Sequence, residues 1–181
     1  MNKNNPWKTI SQSVVYENPW IKVQEDQVIR PDGLDGIYGV VNFKNKAVGV
    51  LPIDEEGFTY LVGQYRYPLG FYSWEIPEGG CPQDEDTLDA AKRELKEETG
   101  LEAASYQVLG RAHLSNSVSD EEAIWYLATG LTLGEAEPEG SEELAVRRLA
   151  FFEALEMVQQ GEITDALSVL AINSYALKLL K

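Results

Sequence analysis

Three carboxylates crowd the hexapeptide Arg93-Glu94-Leu95-Lys96-Glu97-Glu98. On a helix, residues three and four apart share a face, so Glu94, Glu97 and Glu98 would project as one cluster. Like charges at that spacing destabilise a helix by about 0.2–0.5 kcal/mol per pair, a cost that a bound divalent cation reverses. An all-oxygen donor set suits magnesium or manganese. Arg93 lies one helical turn before Glu97 and is a fixed cation able to orient that carboxylate and restrain its pKa. Taken alone, the hexapeptide is better read as a solvated Glu/Lys helix face.

The surrounding pattern supplies the helix. Between Thr87 and Thr99 the apolar residues Leu88, Ala91 and Leu95 recur at helical spacing, and Gly100 stands where a C-terminal cap belongs. Upstream, alternation from Val14 to Phe43 around a turn at Pro31-Asp32-Gly33 predicts a small antiparallel β element over residues 1–45. Residues 46–181 then form the main domain. An apolar strand from Ala47 to Ile53, the turn Asp54-Glu55-Glu56-Gly57 and a strand from Phe58 to Tyr65 read as a hairpin. A short strand from Tyr72 to Ile76 ends at Pro77, the Gly79-Gly80 pair marks a turn, and the chain goes directly into the helix. Strands are expected at Tyr106–Ala112, Ala123–Thr129 and Val146–Phe151. Two helices close the chain, the last from about Asp165 to Leu180 with Leu167, Leu170, Ala171, Ser174 and Leu177 as its stripe.

Charge and composition narrow the partners. The chain has 181 residues, 44% of them hydrophobic, and 30 Asp and Glu against 15 Lys and Arg give a formal net charge of −15. That is the wrong sign for a broad nucleic-acid surface, and a polynucleotide partner is not expected. Small phosphate ligands would also be repelled unless arginines or bound metals reverse the potential locally. The apolar runs are too short for a membrane span and the amino terminus lacks a signal-like apolar region, so a soluble, cytoplasmic protein is expected. Cys81, the single cysteine, excludes an intrachain disulfide and is read as an incidental loop residue.

Gly79, Glu85, Arg93-Glu94-Leu95, Glu97-Glu98 and Gly100-Leu101 together resemble the Nudix box at each of its defining positions. The resemblance implies an α/β fold, the Nudix α/β/α sandwich with a mixed β-sheet, here carrying the N-terminal antiparallel element. It implies hydrolysis of a nucleoside diphosphate linked to another group. By the same resemblance, Glu94 and Glu98 are metal ligands, Glu97 is a further ligand or base, and Glu78 adds its backbone carbonyl. The cofactor implied is Mg2+, with Mn2+ as a substitute. Glu85 is expected to tie down the loop before the helix. The general base is often on a later loop in the family, and of Glu139, Glu142 and Glu143 in the acidic loop here, Glu142 is favoured.

Gln64-Tyr65-Arg66-Tyr67-Pro68 and Trp74-Glu75-Ile76-Pro77-Glu78 look like the version found in ADP-ribose and nucleotide-sugar pyrophosphatases. Arg66 is then expected as a phosphate contact, since a guanidinium presents a forked, permanently charged donor set, with a structural ion pair as the alternative. Glu75 would accept from ribose hydroxyls. Members strict for ADP-ribose carry a proline in the stretch that here runs from Ser115 to Glu121, where Asn116 stands. A polar loop could bond hexose hydroxyls, so the substrate class widens to nucleoside diphosphate sugars, with GDP-mannose and ADP-ribose leading. An aromatic of the N-terminal element, Trp20 or Trp7, is expected to stack on the base. That element is too small to bury a core alone and is expected to dock across a homodimer interface. An RNA 5′-end-processing enzyme and a non-catalytic nucleotide sensor are the rival readings, the latter weakened by the complete set of box carboxylates.

Overall fold

A computed structural model describes residues 4–134 and 144–180. They form two compact units, one taking residues up to Asn45 together with His113–Glu121, the other Lys46–Ala112 and the chain from Glu122 onward.

In the first unit, β1 (Lys8–Glu17), β2 (Ile21–Ile29) and β3 (Asp35–Phe43) make an antiparallel meander in that order. The Asn18 side chain accepts from the Trp20 and Ile21 amides at 2.9 and 2.8 Å and so folds the first turn. Gly33, at φ 85°, permits the second, within the segment read as a turn. The segment from Leu114 to Asp120 hangs on β3: Val41 N–H donates to the Val118 carbonyl at 2.8 Å, and Asp120 accepts from the Phe43 amide at 2.8 Å. Every residue of β1 is exposed, including Ile10, Val14, Val15 and Tyr16.

The second unit is built on β4 (Lys46–Pro52). It pairs antiparallel with β7 (Glu78–Cys81) on one side and parallel with β9 (Glu122–Leu133) on the other, in a four-stranded sheet of order β7-β4-β9-β8, where β8 is Leu101–His113. Alternation along β4 decides what covers each face. Val48 and Val50 join Ala90, Ala91 and Leu95 of α1 (Thr87–Thr99) and Ile124, Tyr126 and Ala128 of β9 in one buried cluster. Gly49 points the other way, where an added Cβ would come within 2.9 Å of both Ile76 and Leu167 of α3 (Ala166–Leu179). Trp125 follows the same rule on β9 and reaches Ser174 of α3 through its indole N–H at 3.3 Å. Helices thus cover both faces of a mixed sheet, the α/β/α arrangement the sequence implies. A second sheet, in the order β10-β5-β6, combines β5 (Phe58–Arg66), β6 (Phe71–Glu75) and β10 (Ala145–Ala150), after which α2 (Phe151–Gln160) leads back to α3.

Four expectations are corrected. β4 and β5 are not a hairpin: each takes its neighbours in a different sheet, and between them remains an isolated bridge from Ile53 to Thr59. The cause is that β4, buried over most of its length, has a strand on either side, while the Asp54 carboxylate folds the turn by accepting from the Glu56 and Phe58 amides at 3.0 and 2.9 Å. The Gly79-Gly80 pair is not a loop leading to the helix but lies within β7, and Cys81 is a core residue of that strand, 1% exposed. The stripe of α3 is rotated: Leu167, Ser168, Ala171 and Ile172 are buried, whereas Leu177 is exposed.

No helix among the described residues is long and apolar enough to cross a membrane. The close packing of β8 on β9 gives a test of the core. The Trp125 ring lies where a Cβ at Gly110 would be. Gly110→Ala is expected to lower unfolding free energy by about 1–3 kcal/mol, read by urea denaturation, because a rigid ring must move to admit it. An unchanged midpoint would show that the ring gives way freely.

Candidate active site

The residues of the box come together through α1 and β7. Asp86 caps α1 by accepting from the Leu88 amide at 2.8 Å, and Gly100, at φ 72°, ends it with an N–H donated to the Lys96 carbonyl. The apolar face of the helix packs on β4, which places Glu94 and Glu98 at the edge of the core, 9% and 6% exposed. Glu94 lies directly over Gly79, its carboxylate occupying the space that a side chain there would need. Glu98 accepts from the Glu78 amide at 3.0 Å. Both carboxylates are therefore fixed against the backbone of β7.

Arg93 binds this arrangement together. It donates to both oxygens of Glu85 at 3.2 and 3.0 Å, to Glu94 at 2.7 Å, to Glu97 at 3.1 Å and to the Gly80 carbonyl at 3.0 Å. The Glu85 bonds are the largest cause that holds the guanidinium further above its ordinary pKa, with Glu94 and Glu97 adding to them against the cost of burial. Glu85 ties the loop before α1 to the helix, as its position in the box suggests.

A second cluster sits where β5, β6 and β7 meet the start of α3. Arg66 Nε donates to both oxygens of Glu75 at 3.0 Å, and its Nη2 reaches Glu75 and, at 3.4 Å, Glu78. Hydrogen bonding to Glu75 is the main cause raising the Arg66 pKa. Glu75 is only 2% exposed, and a ribose hydroxyl would have to share its oxygens with Arg66. Burial, followed by repulsion from Asp165 and Glu75, pushes the Glu78 carboxyl well above the usual range, with Arg66 opposing only in part. Glu78 Oε2 is buried without a hydrogen-bond partner beside Asp165, and a proton held on Glu78 could be donated to that neighbour.

Among the described residues, no group of three or more Asp, Glu, His or Cys side chains is gathered as a ready-made metal cage. The donors present fit a different mode of binding. Magnesium keeps several waters and is held by one or two carboxylates plus substrate phosphates, and Glu94 and Glu98 are paired oxygen donors one helical turn apart. A cation there would share Glu94 with Arg93.

Trp7, Trp20 and Asn116 belong to the N-terminal unit. Trp7 meets Tyr38 edge-on, with centroids 5.2 Å apart, Trp20 is 68% exposed, and Asn116 is exposed in the turn after β8. Glu142, with Glu139 and Glu143, lies outside the described residues. Sequence reading missed Asp165 and Ser168 as neighbours of the site. Asp165 was legible as the approximate start of the last helix, but its approach to Glu78 exists only in the tertiary structure.

Residues 43–169 match the NUDIX domain family, and residues 7–41 match the family described as nucleoside diphosphate sugar hydrolase N-terminal domain. An ADP-ribose pyrophosphatase of Mycobacterium tuberculosis is 33% identical over 92% of this chain and 81% of its own. A methanol dehydrogenase activator of Bacillus methanolicus is 33% identical over 91% of this chain and 90% of its own. An ADP-ribose pyrophosphatase of Bacillus subtilis is 31% identical over 94% and 93%. A solved structure described as an ADP compounds hydrolase shares the fold, with a TM-score of 0.85 at 19% identity over 99% of this chain and 98% of that one.

Arg93 makes the site testable without an assay. Arg93→Gln leaves Glu85, Glu94 and Glu97 facing one another and is expected to cost about 1–2 kcal/mol of stability at neutral pH, a range discounted for partial exposure. The loss should shrink in high salt, which screens the repulsion left behind. Equal losses at low and high salt in urea unfolding would mean that packing, not charge, is what Arg93 supplies.

Proposed function

The chain belongs to the Nudix hydrolase family, and we propose that it splits the diphosphate of nucleoside diphosphate sugars, releasing nucleoside monophosphate and sugar phosphate. ADP-ribose and GDP-mannose are the leading substrates, the first favoured by the relatives named for it. One observation carries the reading: two buried carboxylates, Glu94 and Glu98, are held one turn apart on α1 against the backbone of Gly79 and Glu78.

The family uses divalent metal ions, and magnesium, replaceable by manganese, is the cation proposed here. Glu94 and Glu98 would hold it, with Glu97 as a further ligand or base and Glu78 contributing its backbone carbonyl. When bound, such a cation neutralises phosphate oxygens and lowers the pKa of water. The chain's own residues orient and restrain. Arg93 keeps Glu94 and Glu97 in place, Arg66 meets a phosphate with the exposed part of its guanidinium, and Glu75 holds Arg66 to that task. Glu142 is proposed to take the proton from the attacking water, Asn116 to meet sugar hydroxyls, and Trp20 or Trp7 to stack on the base. Nothing in this scheme requires nucleic acid or a membrane, and the single cysteine suits the reducing cytoplasm.

We further propose a homodimer. The wholly exposed β1, with Ile10, Val14, Val15 and Tyr16 uncovered, is the feature that asks for a second chain.

On a panel of nucleotide sugars with products resolved, turnover is expected only with a divalent cation. Full activity in excess chelator would sink the metal reading, and inactivity across the panel would sink the substrate class. Glu94→Gln and Glu98→Gln should each lower turnover about a hundredfold or more while the melting transition survives, because the amide keeps the shape and loses the charge. For the dimer, light scattering at micromolar concentration decides. The full chain is expected at twice its monomer mass, and a chain beginning at Asn45 is expected to be monomeric or to aggregate, with weaker nucleotide-sugar binding.

A further inference from the structure

Between β6 and β7, three consecutive backbone groups are held by three different elements. Ile76 N–H donates to Ser168 Oγ of α3 at 2.9 Å. The Pro77 carbonyl accepts from Val50 N–H of β4 at 2.8 Å. Glu78 N–H donates to Glu98 Oε2 of α1 at 3.0 Å. The Val50 bond is backbone to backbone, whereas the Ser168 bond depends on one hydroxyl.

That hydroxyl is costly where it sits. Ser168 is 0% exposed, in a stripe otherwise made by Leu167, Ala171 and Ile172, where alanine would finish the apolar face without a polar atom to satisfy. Its bond to Ile76, itself 0% exposed, accounts for it. The turn that carries Ser168 is fixed in addition: Asp165, the N-cap of α3, accepts from the Ser168 amide at 2.7 Å, and the same carboxyl lies beside the Glu78 side chain. The start of α3 therefore grips the 76–78 segment at its first amide and at its last side chain.

We propose that Ser168, set by Asp165, is a positioning residue for the Glu94/Glu98 site, fixing the 76–78 segment so that the Glu78 amide holds Glu98 in the orientation that receives a cation. The inference rests on the metal reading above. Without the hydroxyl, the buried Ile76 N–H has no acceptor, and a segment that shifts to find one carries Glu78 N–H away from Glu98. A carboxylate that loses its fixed donor loses orientation, and metal affinity falls with it.

The test is Mn2+ binding to the full chain, read from the electron paramagnetic resonance of free ion, beside thermal unfolding. Ser168→Ala is expected to weaken Mn2+ binding about tenfold. Ser168→Cys, close in size but a poor acceptor, keeps the space filled, should fold even if the alanine variant does not, and should also bind Mn2+ more weakly. Ile172→Val, one turn further along α3, should lower the melting temperature and leave Mn2+ affinity as in wild type. Ser168 variants that bind Mn2+ as wild type does would overturn the proposal, as would an equal loss in Ile172→Val, which would reduce the effect to general destabilisation. A wild-type chain without Mn2+ affinity would overturn the metal reading itself, and this inference with it.

Discussion

Carboxylates crowded onto one helix face repel one another, and in this chain Arg93 is set among them. Its guanidinium meets Glu85, Glu94, Glu97 and the Gly80 carbonyl at once, using the planar fork that a lysine lacks. Each contact has a separate structural consequence. Glu85 fixes the loop that leads into α1, Gly80 fixes β7 beside the helix, and Glu94 and Glu97 are held on one side of α1. Helix, loop and strand thus share one electrostatic centre, and the geometry of the carboxylates follows from it.

Close approach is the second constraint, and it explains the glycines that matter. Glu94 lies on β7 only because Gly79 has no side chain, and α3 lies on β4 only because Gly49 leaves room for Ile76 and Leu167. The sheet is thereby pressed between two helices whose facing residues differ in kind. α1 brings ionised groups to the edge of the sheet, and α3 brings a cap and a buried hydroxyl to the strand connection. The 76–78 segment touches both sides, the Ile76 amide donating to Ser168 of α3 and the Glu78 amide to Glu98 of α1.

Local signals in the sequence were read well, and pairing between distant strands was not. The helix from Thr87 to Thr99 was legible to the residue, because its stripe, first-turn acid and capping glycine are all encoded within it. The turn at Gly33 was legible for the same reason. The supposed hairpin of β4 and β5 failed because adjacency along the chain says nothing about β9, which arrives more than a helix and a long strand later to take the place beside β4. β7 was missed because a glycine pair is a turn signal, whereas here the missing side chain makes room for Glu94. Glu94, Glu97, Glu98 and Arg93 could be grouped in advance since one helix face holds them. The pairing of Arg66 with Glu75 across β5 and β6, and the approach of Asp165 to Glu78, depend on folding and left no periodic trace.

The same geometry bears on how an acidic protein attracts an anion. With a formal net charge of −15, the chain needs a local source of positive potential for a diphosphate. Arg66 and Arg93 lie among the carboxylates of the site, and both already have carboxylate partners. A phosphate that displaced Glu75 from Arg66 would leave a carboxylate only 2% exposed without its counter-charge, a cost that weighs against the exchange. Arg66 can therefore add a hydrogen bond to phosphate but brings little net positive charge, and Arg93 is balanced by Glu85, Glu94 and Glu97. The excess of negative charge around Glu94 and Glu98 is then itself the recruiting device. On the reading proposed above, that charge would draw a divalent cation in, and the cation, rather than the arginines, would turn the local field toward the substrate.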